Sequence, residues 1–204
     1  MKIQLIFALT LALSVPLGAQ SAADTSAPSI PLPYREIPAY PDSFTAENVV
    51  ARMIDGLGFR FYWATEGLRQ EDLAFRPTPE ARTSEETIDH IMGLSVIVVN
   101  AVKHQPNVRS GEETSPLSFD EKRKMTLDNL KEASDLLKQP NARLEEDVIV
   151  FVNGEKTTEF PFWNMLNGPI ADALWHVGQV VSFRRSSGNP FNSKVSVFSG
   201  KVRE

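Results

Sequence analysis

The chain contains no cysteine, and that absence excludes several kinds of site at once. Without thiols there can be no disulfides, no thiolate metal ligands, no cysteine nucleophile and no lipid attached to an N-terminal cysteine. Histidine is also scarce, with three residues in a chain of 204. Any metal site must therefore combine these few histidines with carboxylates.

The chain also has no excess of positive charge. It carries 21 Lys and Arg against 26 Asp and Glu, a formal net charge of −5. Non-specific nucleic-acid binding depends on neutralising phosphates with Lys and Arg, so no nucleic-acid partner is expected. Beyond its first twenty residues the sequence has no long apolar run, so no membrane span is expected there.

The N-terminus has the pattern of a secretory signal peptide: Lys2, an apolar run from Ile3 to Leu17, and then small residues. The run is about 15 residues long, whereas a membrane span needs roughly 20. We predict a signal peptide at residues 1–19 and an exported protein of the periplasm or extracellular space. An uncleaved membrane anchor is the alternative. Cleavage is expected near Ala19, with Ala22 or Ala23 as alternatives.

Proline marks the segment that comes after the predicted signal peptide. Residues 20–42 contain five prolines, which predicts an extended leader that at most lies along the surface. We place the folded domain at residues 43–190 and a C-terminal tail at residues 191–204. The alternating pattern from Lys194 to Val202 predicts an edge strand in that tail.

Four segments of the domain have the apolar spacing of amphipathic helices. Two of them begin with a capping box, in which a Thr or Ser is followed three residues later by Glu. The last segment contains Asn167-Gly168-Pro169, which marks either its true start or a kink. The helices are expected between these limits: Thr45 to about Arg69, Thr83 to Pro106, Ser118 to Pro140, and Pro161 to Ser187.

A β hairpin is expected before the last helix. Val148–Val152 and Thr157–Phe160 are the two strands, and Asn153-Gly154 suits a two-residue type I′ turn between them. With four helices of similar length, this pattern predicts an all-α fold. The expected architecture is an antiparallel four-helix bundle with a small hairpin insertion.

Asp172 and His176 are the first candidates for chemistry. They are four residues apart on the last helix and therefore share a face. Most of their neighbours are apolar, and a buried carboxylate is unfavourable unless it is paired or bound to a metal. His90 lies in the least polar helix, where a polar side chain likewise needs a partner or a metal. Each residue also has an ordinary interpretation: His90 as a hydrogen-bonded core residue, and Asp172 as a first-turn carboxylate or the partner of an arginine.

Two sequence stretches carry a resemblance to a known family. They are Thr87-Ile88-Asp89-His90-Ile91 and, much later, Asp172-Ala173-Leu174-Trp175-His176-Val177-Gly178-Gln179, followed by Arg184-Arg185 and Gly188-Asn189-Pro190. In these motifs and in their order, the chain resembles the DinB/YfiT-like superfamily of four-helix bundles across nearly the whole domain. In that family a His on the second helix joins an H-x-x-x-H pair on the last helix to bind a divalent metal.

The resemblance implies that His90, Asp172 and His176 bind a divalent transition metal such as Zn, Ni, Fe or Mn. Asp172 stands where the family more commonly has His. This departure leaves open a weaker, harder ion, or no ion. The resemblance also implies a possible homodimer.

Four further residues are candidates for binding the substrate. Gln179 continues the face of Asp172 and His176, and Arg184 can hold an anionic group. The alternative for Arg184 is a last-turn cation that stabilises the helix dipole. Trp63 and Glu66 of the first helix can line the site, with ordinary core and surface roles as their alternatives.

The expected function is that of a metal-dependent enzyme acting on a small molecule, with a hydrolase using metal-activated water as the simplest reaction. One alternative is a metal-dependent thiol S-transferase, an activity found in the superfamily. Another is a non-catalytic bundle that binds a ligand or partner through its cavity or the region of Trp163. No nucleotide or nucleophile motif identifies the substrate.

Overall fold

The structure is a computed structural model that describes residues 31–108 and 116–204. The predicted signal peptide at residues 1–19 and the beginning of the predicted leader lie outside the described residues. One compact unit spans Leu32–Glu204. Within the described part of the chain, no helix has both the length and the apolar character needed to cross a membrane.

The described residues are mostly helical, as predicted. Four long helices coincide with the four predicted segments, although the first ends earlier and the last begins later than expected. In chain order the helices are α1 (Ala46–Thr65), α2 (Gln70–Ala74), α3 (Ser84–Val102), α4 (Phe119–Leu137), α5 (Trp163–Met165) and α6 (Ala171–Ser186).

Local hydrogen bonds explain where the long helices begin. Thr83 accepts from the backbone N–H of Glu86, whose carboxylate accepts in turn from the backbone N–H of Thr83. Ser118 and Glu121 repeat this arrangement at the start of α4, and Thr45 caps α1. Both predicted capping boxes are therefore confirmed, since each satisfies backbone donors that a helix start leaves free.

The last helical segment is divided by a kink. Leu166–Ile170 forms a π-type turn, and within it Gly168 has the non-helical angles φ −93° and ψ −108°. Pro169 has no N–H to donate to the preceding turn, so regular α-helix resumes only after it. The kink places Asp172 in the first turn of α6.

The four long helices pack around one apolar core. α4 lies against α1 and α3, and α6 also contacts these two helices. The buried side chains come from every layer and include Ile54, Leu57 and Phe61 of α1, Ile88 and Ile91 of α3, Leu127 and Leu130 of α4, and Val177 and Val180 of α6.

Short strands border the helices. β1 (Asn107–Val108) pairs in parallel with β2 (Ile149–Asn153), which pairs antiparallel with β3 (Lys156–Phe160). The predicted hairpin is present, but its turn is shifted by one residue. Asn153 pairs with Lys156, so the loop is Gly154-Glu155. Gly154 has φ +60° at the first loop position, the glycine position of a type II′ turn.

The C-terminal tail forms a second small hairpin instead of the single edge strand that we predicted. Its strands are β4 (Val195–Ser196) and β5 (Lys201–Val202). β1 was not predicted either, because a strand of two residues has no measurable alternation.

Residues from Leu32 onward pack on the domain, which differs from the predicted start of the domain at residue 43. Tyr34 is buried, and its hydroxyl donates to the Asp55 carboxylate at 3.0 Å. A Cβ at Gly58 would lie 2.3 Å from the Tyr34 ring, so only glycine permits this close approach. The leader therefore contributes a core residue.

A buried carboxylate lies just before β2. Asp147 is 3% exposed, and burial raises its pKa to about 6 because the charged form loses its hydration. His104, with Nε2 3.5 Å from the carboxylate, opposes this rise in pKa, whereas Glu146, Glu47 and Glu145 add to it. The folded state therefore binds this proton more tightly than the unfolded chain does. Protonation of Asp147 therefore stabilises the folded state. This stabilisation is complete below about pH 4 and is lost as the pH rises through 6.

We therefore expect Asp147→Asn to raise the free energy of unfolding at pH 7.5 by about 1–3 kcal/mol. The variant should also lose the part of the pH dependence that falls between pH 4 and 6. Urea unfolding across this range measures both effects. Asp128→Asn is the matched control, since Asp128 is a half-exposed partner of Lys124 on α4. A loss of stability in Asp147→Asn at every pH would contradict the expectation.

Candidate metal centre

The three predicted ligands meet where α3 packs against α6. The carboxylate of Asp172 lies between two imidazoles: Oδ2 is 3.0 Å from His90 Nε2, and Oδ1 is 3.3 Å from His176 Nε2. One ligand atom from each residue lies within 4.8 Å of the other two. The two rings meet edge to face, with centroids 4.6 Å apart.

Local structure positions each of these side chains. Asp172 and His176 lie one turn apart on α6, so both face α3. The kink at Gly168 sets where that first turn begins. His90 lies two turns after the capping box that starts α3. Two helix starts and one helix-helix contact therefore determine the arrangement of the three ligands.

Gln179 determines how His176 presents its ring. The two residues are three positions apart on α6, and His176 Nδ1 is 2.7 Å from Gln179 Oε1. In the tautomer with its proton on Nδ1, His176 donates to Gln179 Oε1, since an amide oxygen only accepts. In the neutral imidazole the lone pair then lies on Nε2, directed at Asp172. Gln179 therefore contacts a member of the triad, and its predicted role in substrate binding stays a prediction.

The arrangement at Nε2 of His176 suits a proton or a metal ion between the ring and the carboxylate. A lone pair on Nε2 and a carboxylate oxygen 3.3 Å away repel each other unless a proton or a cation lies between them. A second ring nitrogen, from His90, faces the other oxygen of the same carboxylate. Metal-ligating histidines have this pattern: one nitrogen faces the metal and the other donates to a fixed acceptor.

The distances allow one metal ion to be shared by the three residues. Ligand atoms about 2.0–2.2 Å from a shared ion stand roughly 3–3.5 Å apart in tetrahedral or octahedral geometry. The two imidazole nitrogens lie 3.0 and 3.3 Å from different oxygens of the Asp172 carboxylate, and one atom from each residue lies within 4.8 Å of the other two. The side chains of His90 and Asp172 are 33% and 38% exposed, so the site is open to solvent on one side. The triad can therefore hold a metal ion.

Arg184 is not part of this centre, in which its predicted role in substrate binding would place it. It is 3% exposed. Its Nη1 donates to the backbone carbonyls of Trp63, Ala64 and Glu66, at 3.1, 2.9 and 3.0 Å. Its Nε donates to the carbonyl of Asn189 at 2.7 Å. The first three carbonyls close α1, so Arg184 satisfies the acceptors that a helix end leaves free.

Trp63 and Glu66 do not join the triad either. Trp63 is buried, donates from Nε1 to the carbonyl of Arg35 at 3.2 Å, and lines a separate cavity between α1 and α6. Glu66 is exposed and pairs with Arg123 of α4. Of the four residues predicted to bind substrate, only Gln179 contacts a member of the triad.

One feature of the centre was not predicted from the sequence. The sequence analysis missed the hydrogen bond between Gln179 and His176. Two helical side chains three residues apart can form such a bond, so the spacing was a usable signal. His104, the third histidine, lies apart from the centre and faces Asp147.

Comparison of the chain with protein-family models, with curated proteins and with solved structures finds no match. The resemblance to the DinB/YfiT-like superfamily thus stays a prediction. The basis for a functional proposal is the geometry of His90, Asp172 and His176.

Proposed function

We propose that this chain is an exported, divalent-metal-dependent enzyme that hydrolyses a small-molecule substrate. One observation carries the proposal. Two imidazole Nε2 atoms converge on a single carboxylate in a partly exposed site, and Gln179 Oε1 lies 2.7 Å from the other ring nitrogen of His176, where it can accept from a metal-binding imidazole.

Each residue has a defined part in this proposal. His90 and His176 bind the ion through Nε2, and Asp172 binds it through its carboxylate. Three protein ligands leave coordination positions open for water and substrate, as catalytic sites do. Such an ion lowers the pKa of water towards 7 and polarises an acyl or phosphoryl oxygen. Gln179 keeps His176 in place while the substrate enters from the exposed side.

The same proposal extends to the architecture and the identity of the ion. We infer that α1, α3, α4 and α6 form an antiparallel four-helix bundle of the DinB-like kind, and that the protein can form a homodimer. Two imidazoles and one carboxylate suit Zn, Ni, Fe or Mn.

The decisive experiment combines metal analysis with an activity screen. The full chain is expressed with its own N-terminus and purified without chelator, and its metal content is measured by mass spectrometry. The protein is then stripped, reloaded with each of the four metals in turn, and assayed against ester, amide, lactone and phosphoester substrates. We expect near-stoichiometric metal, and hydrolysis that disappears on stripping and returns on reloading.

Two outcomes would overturn the proposal. If no sample binds metal even after reconstitution, the triad is a polar network in a non-catalytic bundle. If metal binds but products form only when a low-molecular-weight thiol is added, and contain that thiol, the reaction is S-transfer. A further set of assays with a thiol co-substrate therefore belongs to the same screen.

A further inference from the structure

The cavity that Trp63 lines lies on the opposite side of α6 from the triad. It has a volume of about 670 Å³, within the usual range for small-molecule sites. Its walls come from α1, α6 and the C-terminal tail, and much of its surface is apolar. The apolar lining includes Met53, Trp63, Leu174, Val177, Val181 and Phe191.

Three arginines and no acidic residue line this cavity. They are Arg52 and Arg60 of α1 and Arg185 of α6. Arg52 and Arg60 are eight residues apart on one helix, so they lie about 80° apart around its axis, two turns along it. On a chain with a net charge of −5, three cations without a carboxylate among them form a marked local concentration of positive charge.

The three guanidinium groups are held in position without being neutralised. Arg52 donates to the carbonyl of Pro38 at 2.7 Å, and Arg60 donates to the carbonyl of Gly56 at 2.9 Å. Arg185 lies over the ring of Phe191, 5.5 Å from its centroid. Among the described residues, none of the three arginines forms an ion pair. Each guanidinium has five donors, so most of them remain for a ligand.

An apolar groove adjoins the cavity and shares Arg52 and Met53 with it. Its volume is about 580 Å³. Tyr40 and Phe44 line it and are 78% and 101% exposed, which is unusual for aromatic side chains. A ligand that covers this groove must have an apolar surface. If one end of the same ligand enters the cavity, the arginines there favour a negative charge on that end.

We propose that this cavity and groove bind an amphipathic anion. Its carboxylate or phosphate contacts Arg52, Arg60 and Arg185, and its single hydrocarbon chain lies in the groove along Tyr40 and Phe44. Arginine favours these two headgroups because its planar fork matches their oxygens. The site is separate from the metal centre and does not depend on a bound ion.

The first test is direct binding of chemically defined probes to the full chain, below their critical micelle concentrations, by isothermal titration calorimetry. We expect dodecanoate and dodecyl phosphate to bind. Dodecyl maltoside and dodecyltrimethylammonium should bind at least about ten-fold more weakly, because they lack the charge that the arginines recognise. Acetate and inorganic phosphate, which lack the chain, should bind more weakly by a similar factor.

Two variants locate the site. Arg60→Met should weaken dodecanoate binding about ten-fold or more, because a charge-assisted hydrogen bond is lost. Arg76→Met is the matched control, since Arg76 is exposed, pairs with Glu86 and lies outside the cavity. Gly178→Leu should also block binding. Gly178 lines the cavity, and a Cβ there meets nothing within 4 Å, so α6 tolerates the change.

Several outcomes would overturn the proposal. Equal binding of the anionic and neutral probes would remove the role of the arginines, and inorganic phosphate binding as tightly as dodecyl phosphate would remove the role of the groove. Sedimentation with anionic phosphatidylglycerol vesicles, without binding of monomeric probes, would indicate a membrane surface instead. Unchanged affinity in both Arg60→Met and Gly178→Leu, with melting temperatures preserved, would place any binding elsewhere.

Discussion

Asp172→Ala is expected to lower the affinity for Zn²⁺ or Mn²⁺ by roughly 1000-fold, because it removes one of three ligands and the only negative charge of the triad. The helical signal should be unchanged, since Asp172 lies in the first turn of α6 with its side chain more than one third exposed. Equilibrium dialysis against a competing chelator measures the affinity, and far-UV circular dichroism monitors the fold.

Two matched variants make this result specific. Gln179→Ala removes the acceptor that orients His176 without removing a ligand, so its loss of affinity should be about 10–100-fold. Asp89→Asn removes a negative charge at the residue before His90. Because the Asp89 side chain pairs with Lys122 of α4, metal affinity should be unchanged. Metal binding by Asp172→Ala at the strength of the unaltered chain would show that the ligand assignment is wrong.

Arg184→Met is expected to destabilise the protein by about 3–5 kcal/mol, the range for leaving several buried acceptors without a donor. The carbonyls of Trp63, Ala64 and Glu66 would each lose a partner at the end of α1. For a domain of this size the melting temperature should fall by roughly 10 °C. Urea and thermal unfolding at pH 7 measure the two quantities.

The neighbouring arginine supplies the control. Arg185→Met removes the same charge from an exposed position, so the loss of stability should stay below about 1 kcal/mol. Arg184→Lys should recover little, because an ammonium group cannot direct donors in the plane of a fork towards both α1 and Asn189. If Arg184→Met melts with the unaltered chain, the buried network does not support α1 as described.

The helix starts were predictable because the interactions that form them are local. Thr83 and Glu86, like Ser118 and Glu121, are three residues apart and bond to each other's backbone N–H. Such a contact is encoded within one turn and does not depend on the rest of the chain. The hairpin was found for the same reason, although its turn lies one residue later, because Asn153 pairs with Lys156 instead of joining the loop.

Errors arose where a side chain had to be assigned to one side of a helix. Arg184 lies eight residues after His176, a rotation of about 80° around α6. That rotation turns Arg184 away from α3 and into the end of α1. Tyr34 was assigned to a leader because five prolines disfavour regular structure, yet its ring fills the space that Gly58 leaves free.

The sequence by itself determined the helical segments and their caps, the scarcity of possible metal ligands, and the pairing of Asp172 with His176 on one face. These properties depend on residue types and on contacts within one or two turns. Only the tertiary structure decided that His90 faces that pair, that Gln179 orients His176, and that three arginines share a cavity. Each of these depends on how helices far apart in the chain are rotated against one another, and close packing of the core sets that rotation.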